Sequence, residues 1–258
     1  MSNPITRFYD SLSPEYRDNM GWDWDAAVRE EGAALNRFIL EQMGQQHSKT
    51  LLDCSCGIGT QAIGLALEGY QVHATDLSPV SIDCAVQEAT RLGVSITFGI
   101  ADYRELGNTI SATFDIVLSC DNSIAHCLND KDLNAALVSM NTRCKPGGLL
   151  LLSMRDYDEL VVDKPRFNNQ HVEDKSDGRR VVFQLWDWAA DGRHYKMNQF
   201  LIREIDGSYE FKHFHTELRA LRRSEVMAAV REAGFEKVNW HTPEQSGYYQ
   251  PIVTARRH

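Results

Sequence analysis

Apolar residues recur along this chain with two different periods, and the period switches at regular intervals. From Trp24 to Met43 they fall at helical spacing, at Ala27, Leu35, Phe38, Ile39 and Met43, which predicts a long amphipathic helix. A short apolar run, Thr50 to Cys54, then reads as a strand, followed by glycines at Gly57 and Gly59 and a helix through Gln61 to Glu68 that Gly69 ends. "QVHATD" (Gln71 to Asp76) reads as a second strand. Ser78 and Pro79 supply an N-cap and a proline at the first helical position, opening a helix with an expected inner face of Ile82, Ala85, Val86, Ala89 and Leu92. Strands follow at Ser95 to Asp102 and Phe114 to Cys120, then a helix capped by Asp130 that runs to about Arg143. A "KPGG" turn (Lys145 to Gly148) leads to a fifth strand, Leu149 to Met154. Strands alternating with helices predict an α/β fold with a doubly wound, mostly parallel sheet.

The pattern changes after Arg155. Three strand-like runs, "RVVFQLWDW", "HYKMNQFLIREI" and "YEFKHFHTELRAL", are separated by the turn-rich "AADGR" and "DGS". They predict an antiparallel three-stranded insertion. A helix at Ser224 to Phe235 and two strands in "KVNWH" and "YQPIVTARR" then complete a seven-stranded sheet. The expected organisation is one domain: a cover over 1–48, a core over 49–155, an inserted lid over 156–222 and a C-terminal completion over 223–258.

Composition narrows the classes. A hydrophobic share of 43% and a charged share of 24% are ordinary for a globular protein. The net charge of −9 and the scattered Arg-Arg pairs beginning at Arg179, Arg222 and Arg256 disfavour nucleic acid as a partner. The N-terminus lacks the apolar stretch of a signal peptide and no run is long enough to span a bilayer, so neither secretion nor a membrane is expected. Six cysteines without paired spacing fit reduced thiols in a cytoplasmic protein, and the lone CxC of Cys54 and Cys56 gives no reason to expect a metal.

The chemistry centres on "LLDCSCGIGT" (Leu51 to Thr60). Gly57 and Gly59 let the backbone approach a ligand, but the third glycine of a dinucleotide loop is missing, with Gln61, Ala62 and Ile63 there instead. Asp53, at the carboxyl end of the first strand, would repel a pyrophosphate and suits a cation. Asp76 ends the second strand, where a carboxylate can accept from two ribose hydroxyls, and Asp102 ends the third, placed to accept from an adenine amino group. A cationic nucleoside without phosphate satisfies all three acids, and S-adenosyl-L-methionine is such a molecule.

In order, "LLDCSCGIGT", "ATDLS", "IADY", "FDIVLSCDN" and "KPGGLLLLS" resemble the motifs of class I S-adenosylmethionine-dependent methyltransferases, over roughly Leu51 to Met154. "CDNSIAHCLND", "MRDYDEL", the N-terminal "FYDSLSPEY" and the insertion resemble the glycine, sarcosine and dimethylglycine N-methyltransferases more narrowly. The resemblance implies a Rossmann-like methyltransferase sheet. It also implies methyl transfer to the amine of a small amino-acid-like substrate, feeding betaine synthesis or adjusting the methyl-donor pool. It assigns cofactor contacts to Arg29, Ser55, Leu77, Asp102, Tyr103 and Cys120, with Tyr9, Tyr16, Trp22 and Trp24 in an N-terminal cover. It assigns the substrate carboxylate to Asn122 and Arg155, with His194 or Tyr195 closing from the insertion. Nothing in the sequence specifies an oligomeric state.

The residues themselves leave alternatives open. Arg155 can bind a small carboxylate through two parallel bonds or pair with Asp156 or Asp158. Asn122 can cap a local turn, and His126 can touch substrate or donate to the loop backbone. Trp186 and Trp188 are expected to divide between the core and the pocket or solvent. No dedicated base is expected, although His126 or His194 could assist loss of the substrate's proton. The competing readings are methylation of another small carboxylate-bearing or heteroatom nucleophile, and cofactor binding without turnover.

Overall fold

The structure, a computed structural model, describes residues 3–44 and 50–258; the expected boundary between 48 and 49 lies outside them. Seven strands form one sheet: β1 (Thr50–Asp53), β2 (Gln71–Asp76), β3 (Thr97–Ile100), β4 (Phe114–Ser119), β5 (Cys144–Ser153), β10 (Phe235–His241) and β11 (Ile252–Arg257). Their order is β3-β2-β1-β4-β5-β11-β10, and β11 alone runs against the rest. The order reverses between β1 and β4, and that crevice is where an open α/β sheet takes a ligand.

The central strands are continuous apolar runs because both faces are covered. Successive residues feed opposite layers. Leu52, Val117, Leu150 and Leu152 pack with Phe8, Tyr157 and Trp186 on one face. Leu51, Ile116, Leu118, Leu149 and Leu151 pack with Leu35, Phe38 and Tyr248 on the other. Helix α2 (Trp24–Met43) crosses α3 (Thr60–Leu67) very closely: a Cβ on Gly32 would stand 2.6 Å from the Gly64 backbone.

The N-terminal cover opens with a helix, α1 (Pro4–Asn19), with Asn3 as its N-cap and Pro14 inside it. Several local expectations are corrected. On α4 (Pro79–Leu92) the buried stripe is centred on Ala85, with Ile82 and Ala89 beside it, and Val86 turns out to solvent, 42% exposed. Asn129, not Asp130, caps α5 (Asp130–Arg143), because its side chain accepts from the Asp132 N–H. "KPGG" lies inside β5 at a register shift, where a Cβ on Gly148 would meet the Asp115 carbonyl at 2.9 Å.

After α6 (Tyr157–Asp163) the insertion has four strands rather than three: β6 (Phe167–Lys175), β7 (Gly178–Trp188), β8 (His194–Ile205) and β9 (Ser208–Arg219), an antiparallel meander. The missed strand, "FNNQHVEDK", is mostly exposed and interrupted by a register shift, so no two-residue alternation marks it. Trp186 and Trp188 do not divide between faces. Residues two apart share a face of a strand, and both rings lie against Tyr195, at 4.6 and 4.9 Å. The meander is tied to α1 by Lys212 to Glu15 (2.5 Å), Arg180 to Asn19 (2.9 Å) and Lys175 to the Asp18 carbonyl (2.7 Å). Helix α7 (Arg223–Glu232) returns the chain to the main sheet, and α8 (Pro243–Ser246) precedes β11.

Candidate functional site

The loop after β1 turns sharply into α3. Gly57 has φ +52° with open space where a Cβ would stand, so its backbone borders the pocket without obstruction. Gly59 serves the turn itself: it is the N-cap of α3 at φ +96°, and a Cβ there would come within 2.9 Å of Ile63 Cδ1.

The three expected acids have different surroundings. Asp53 is 1% exposed; Oδ1 accepts from the Ser55 N–H at 3.2 Å, and Oδ2 is buried with no partner among the described residues. Burial pushes its carboxyl up to about 7. Asp76 accepts from the Gly57 and Ser78 N–H groups, each at 2.9 Å, and burial raises its pKa despite them. Asp102 is held in a fork by Arg104, with Nη2 to Oδ2 at 2.6 Å. Asp102 lines the cavity, with both oxygens already taken by the Arg104 backbone and guanidinium.

Tyr9, Ser55, Gly57, Asp76, Leu77, Asp102, Tyr103, Cys120 and His126 together line one cavity that opens to solvent. Others among the expected residues do not form its wall. Arg29 is exposed on the outer side of α2. Trp22 packs edge-on to Tyr16 at 5.6 Å, Asp53 lies beneath the loop, and Gly59 belongs to the helix start.

The expected carboxylate-binding residues converge, with one exception. Asn122, buried at φ +63°, accepts from the Arg155 N–H at 3.1 Å and donates to the Tyr157 hydroxyl at 2.9 Å. The Tyr157 and Tyr195 hydroxyls are 2.8 Å apart, and Arg155 Nη1 donates to Tyr195 at 3.0 Å. The guanidinium lies 4.9 Å over the Trp186 ring. Asp156 and Asp158 turn instead to Arg223, and Arg155 makes no ion pair among the described residues. His194 is the exception: Nδ1 faces Asp191 at 2.5 Å and Nε2 the Leu128 carbonyl at 2.8 Å, so neither nitrogen is free for substrate.

His126 Nε2 meets the Tyr9 hydroxyl at 3.0 Å. Its Nδ1 is buried with no hydrogen-bond partner among the described residues. Burial, and then the Arg155 charge, lower its pKa to about 4, so the ring is neutral at physiological pH.

Sequence reasoning missed Tyr157, Glu31 and Tyr248. Tyr157 stood within the quoted "MRDYDEL" but two residues from the arginine it serves. Glu31 and Tyr248 meet Gln61, the residue noted only as the absent glycine. Among the described residues no cluster of three or more His, Cys, Asp or Glu is placed to hold a metal, and no helix is long and apolar enough to cross a membrane.

A methyltransferase-domain family model matches residues 51–148. The glycine/sarcosine N-methyltransferase of Parasynechococcus marenigrum (strain WH8102) is 30% identical over 231 residues, 89% of this chain and 76% of that protein. The protein of the same name from Aphanothece halophytica is 26% identical over 251 residues, 96% and 90% of the two chains. Among solved structures, an S-adenosylmethionine-bound amino pentose methyltransferase from Micromonospora echinaspora has the same fold, with a TM-score of 0.75 at 19% identity, covering 90% of this chain and 92% of that one. This chain belongs to the class I S-adenosylmethionine-dependent methyltransferases, and within that class it resembles the glycine/sarcosine N-methyltransferases. Its cofactor is S-adenosylmethionine. The residues present fit that molecule: Asp76 and Asp102 stand in the cavity wall, and the bare Gly57 backbone admits a nucleoside.

Proposed function

We propose that this enzyme methylates the amine of a small amino acid, of the glycine, sarcosine or dimethylglycine type. The observation that carries this reading is Arg155, a guanidinium fixed by Tyr195 and the Trp186 face that makes no ion pair with a carboxylate among the described residues. A planar fork held in that way is suited to a small carboxylate through two parallel bonds. Asn122, locked between the Arg155 backbone and Tyr157, adds a polar group beside it.

On this reading Tyr9, Ser55, Gly57, Asp76, Leu77, Asp102, Tyr103 and Cys120 contact the cofactor, over the unpartnered Asp53. When bound, the cofactor supplies an electrophilic methyl group on a positively charged sulfur. Arg155 and Asn122 hold the acceptor by its carboxylate so that the amine lone pair points along the line of attack. Such alignment can supply about 7–11 kcal/mol of a barrier. Tyr9 and His126 form a wall close to that clamp and exclude water, and residues 156–222 act as the cover, pinned to α1. His126, neutral and weakly basic, takes no protonated role; the acceptor ammonium gives its proton to solvent before attack. The six free cysteines support a reducing, cytoplasmic setting.

The test is a methyl-transfer assay with glycine, sarcosine and dimethylglycine. The wild type should turn over at least one of them. Arg155→Lys and Arg155→Ala should each lower kcat/KM by about a hundredfold or more, since a lysine cannot supply the fork, while S-adenosylhomocysteine binding is unchanged. Turnover of none of the three, with the cofactor bound, would discard this substrate class in favour of another carboxylate-bearing nucleophile.

A further inference from the structure

The inserted meander has two apolar faces and buries only one of them. Even-numbered residues of β7 point inward, where Val182 and Trp186 join Met197, Leu201 and Leu218 in the core. The outward positions are apolar too: Val181, Phe183 and Leu185 on β7, Phe200 and Ile202 on β8, and Phe211 on β9. An aromatic row crosses all four strands on that side, with Phe167, Phe183, Phe200 and His213 in successive ring contact at 5.4, 4.9 and 4.7 Å. Toward the sheet edges Phe167 is 53% exposed, Val172 64% and Phe211 71%. An antiparallel sheet with one face in water alternates apolar and polar residues, so apolar residues on both faces call for a second layer.

The ends of this face carry charge in a matched pattern. At one end Asp187 and Lys196 are cross-strand neighbours; at the other the Arg179 N–H donates to Glu204 Oε2 at 3.3 Å. Phe183 and Phe200, themselves a register pair, stand midway between these ends on their two strands. A two-fold axis lying in the face and crossing the strands at Phe183 and Phe200 lays β7 and β8 on the same strands of a second copy, running oppositely. Asp187 then meets Arg179 of the second copy, Lys196 meets its Glu204, and Leu185 meets its Val181. Each pairing occurs twice, as an isologous contact requires. The size suits the same occupant. Strands of 9 to 12 residues, at about 3.3 Å per residue and about 4.8 Å apart, make a face on the order of 700 Å². A stable complex takes roughly 800 Å² from each partner. We propose that the outer face of the meander is the interface of a homodimer, two copies packed sheet on sheet about this axis. Nucleic acid and anionic lipid are poor occupants, because Asp174, Asp187, Glu204 and Glu217 outnumber Arg179 and Lys196 around the apolar centre.

Sedimentation velocity on the full chain tests this. The wild type should sediment as a dimer at about 50 μM. Phe211→Glu should raise the dimer Kd at least about tenfold while its circular dichroism stays that of the wild type. Lys196→Glu and Glu204→Lys should each weaken the dimer at least about tenfold, since each sets like charges together at two symmetric places. The double variant Lys196→Glu/Glu204→Lys should return to within about threefold of the wild type, because the exchanged charges attract again across the axis. The charge variants carry the test if Phe211→Glu fails to fold. A monomeric wild type would overturn the proposal and leave the face to a partner of another kind. A dimer indifferent to Phe211→Glu would overturn it by placing the contact elsewhere, and a double variant as weak as the single ones would overturn the two-fold pairing.

Discussion

Arg155 and its acidic neighbours show how a residue's partners are settled at a distance. "RDYD" offers Asp156 and Asp158 within three positions, yet both turn to Arg223, on a helix that begins sixty-eight residues downstream of Arg155 by sequence number. The arginine is left to a tyrosine hydroxyl and an indole face from the meander. His126 makes the converse case: a side chain often enlisted for proton transfer is placed where burial and a nearby guanidinium keep it neutral. Its folded pKa of about 4 lies well below the working range, so His126→Asn should cost less than about tenfold in kcat/KM. The variant's pH–rate profile should rise with acceptor deprotonation as the wild type's does. A lost inflection between about pH 6 and 8 in the variant would show that His126 titrates in catalysis. Asp53 and Asp76 were legible because strand ends can be located from apolar runs, whereas Asp102, expected to end the third strand, lies two residues past β3 and caps the short helical turn Tyr103–Asn108. The emptiness around Asp53 Oδ2 and the Arg104 fork on Asp102 were not legible, since each depends on what other elements bring.

Among the elements, α2 and β6 mark the two ends of legibility. The helix matches its expectation from Trp24 to Met43, because a long stripe at 3.6-residue spacing has no strand counterpart. Strand β6 carries no such mark and exists because β7 offers it a partner edge. The α2–α3 crossing was equally hidden: glycines at 32 and 64 say nothing of each other until the helices touch. A Cβ on Gly32 would meet Gly64 backbone atoms at 2.6–2.7 Å, which cannot swing aside as a side chain can. Gly32→Ala should therefore cost about 1–3 kcal/mol in denaturant unfolding. Because the same crossing positions Gln61, which lines the cavity, the variant should also bind S-adenosylhomocysteine more weakly. Unchanged stability would show that the helices separate without penalty.

At the scale of the whole molecule, the meander is fastened to the cofactor half at α1 and at the loop before α5. His194 makes the second fastening, donating to Asp191 and to the Leu128 carbonyl at once, an arrangement that only the imidazolium can make in full. The hydrogen bond to Asp191 raises its pKa above the usual 6.5, against the effect of burial. A raised folded pKa contributes stability that is complete below about 6.5 and is lost as pH rises through the folded value. The Tm difference between wild type and His194→Asn should thus be largest in mildly acidic buffer and shrink toward alkaline pH. A difference that is flat with pH would mean the fastening does not depend on the charge. The sequence alone determined the alternating α/β order, the strand ends and the acids on them, because backbone periodicity and turn chemistry are local. Only the tertiary structure decided the fourth strand of the meander, the unpaired state of Arg155, the pairing of His194 and the meeting of Glu31 with Gln61. Each of these is a choice of partner among residues far apart in the chain, made by which surfaces can be buried together.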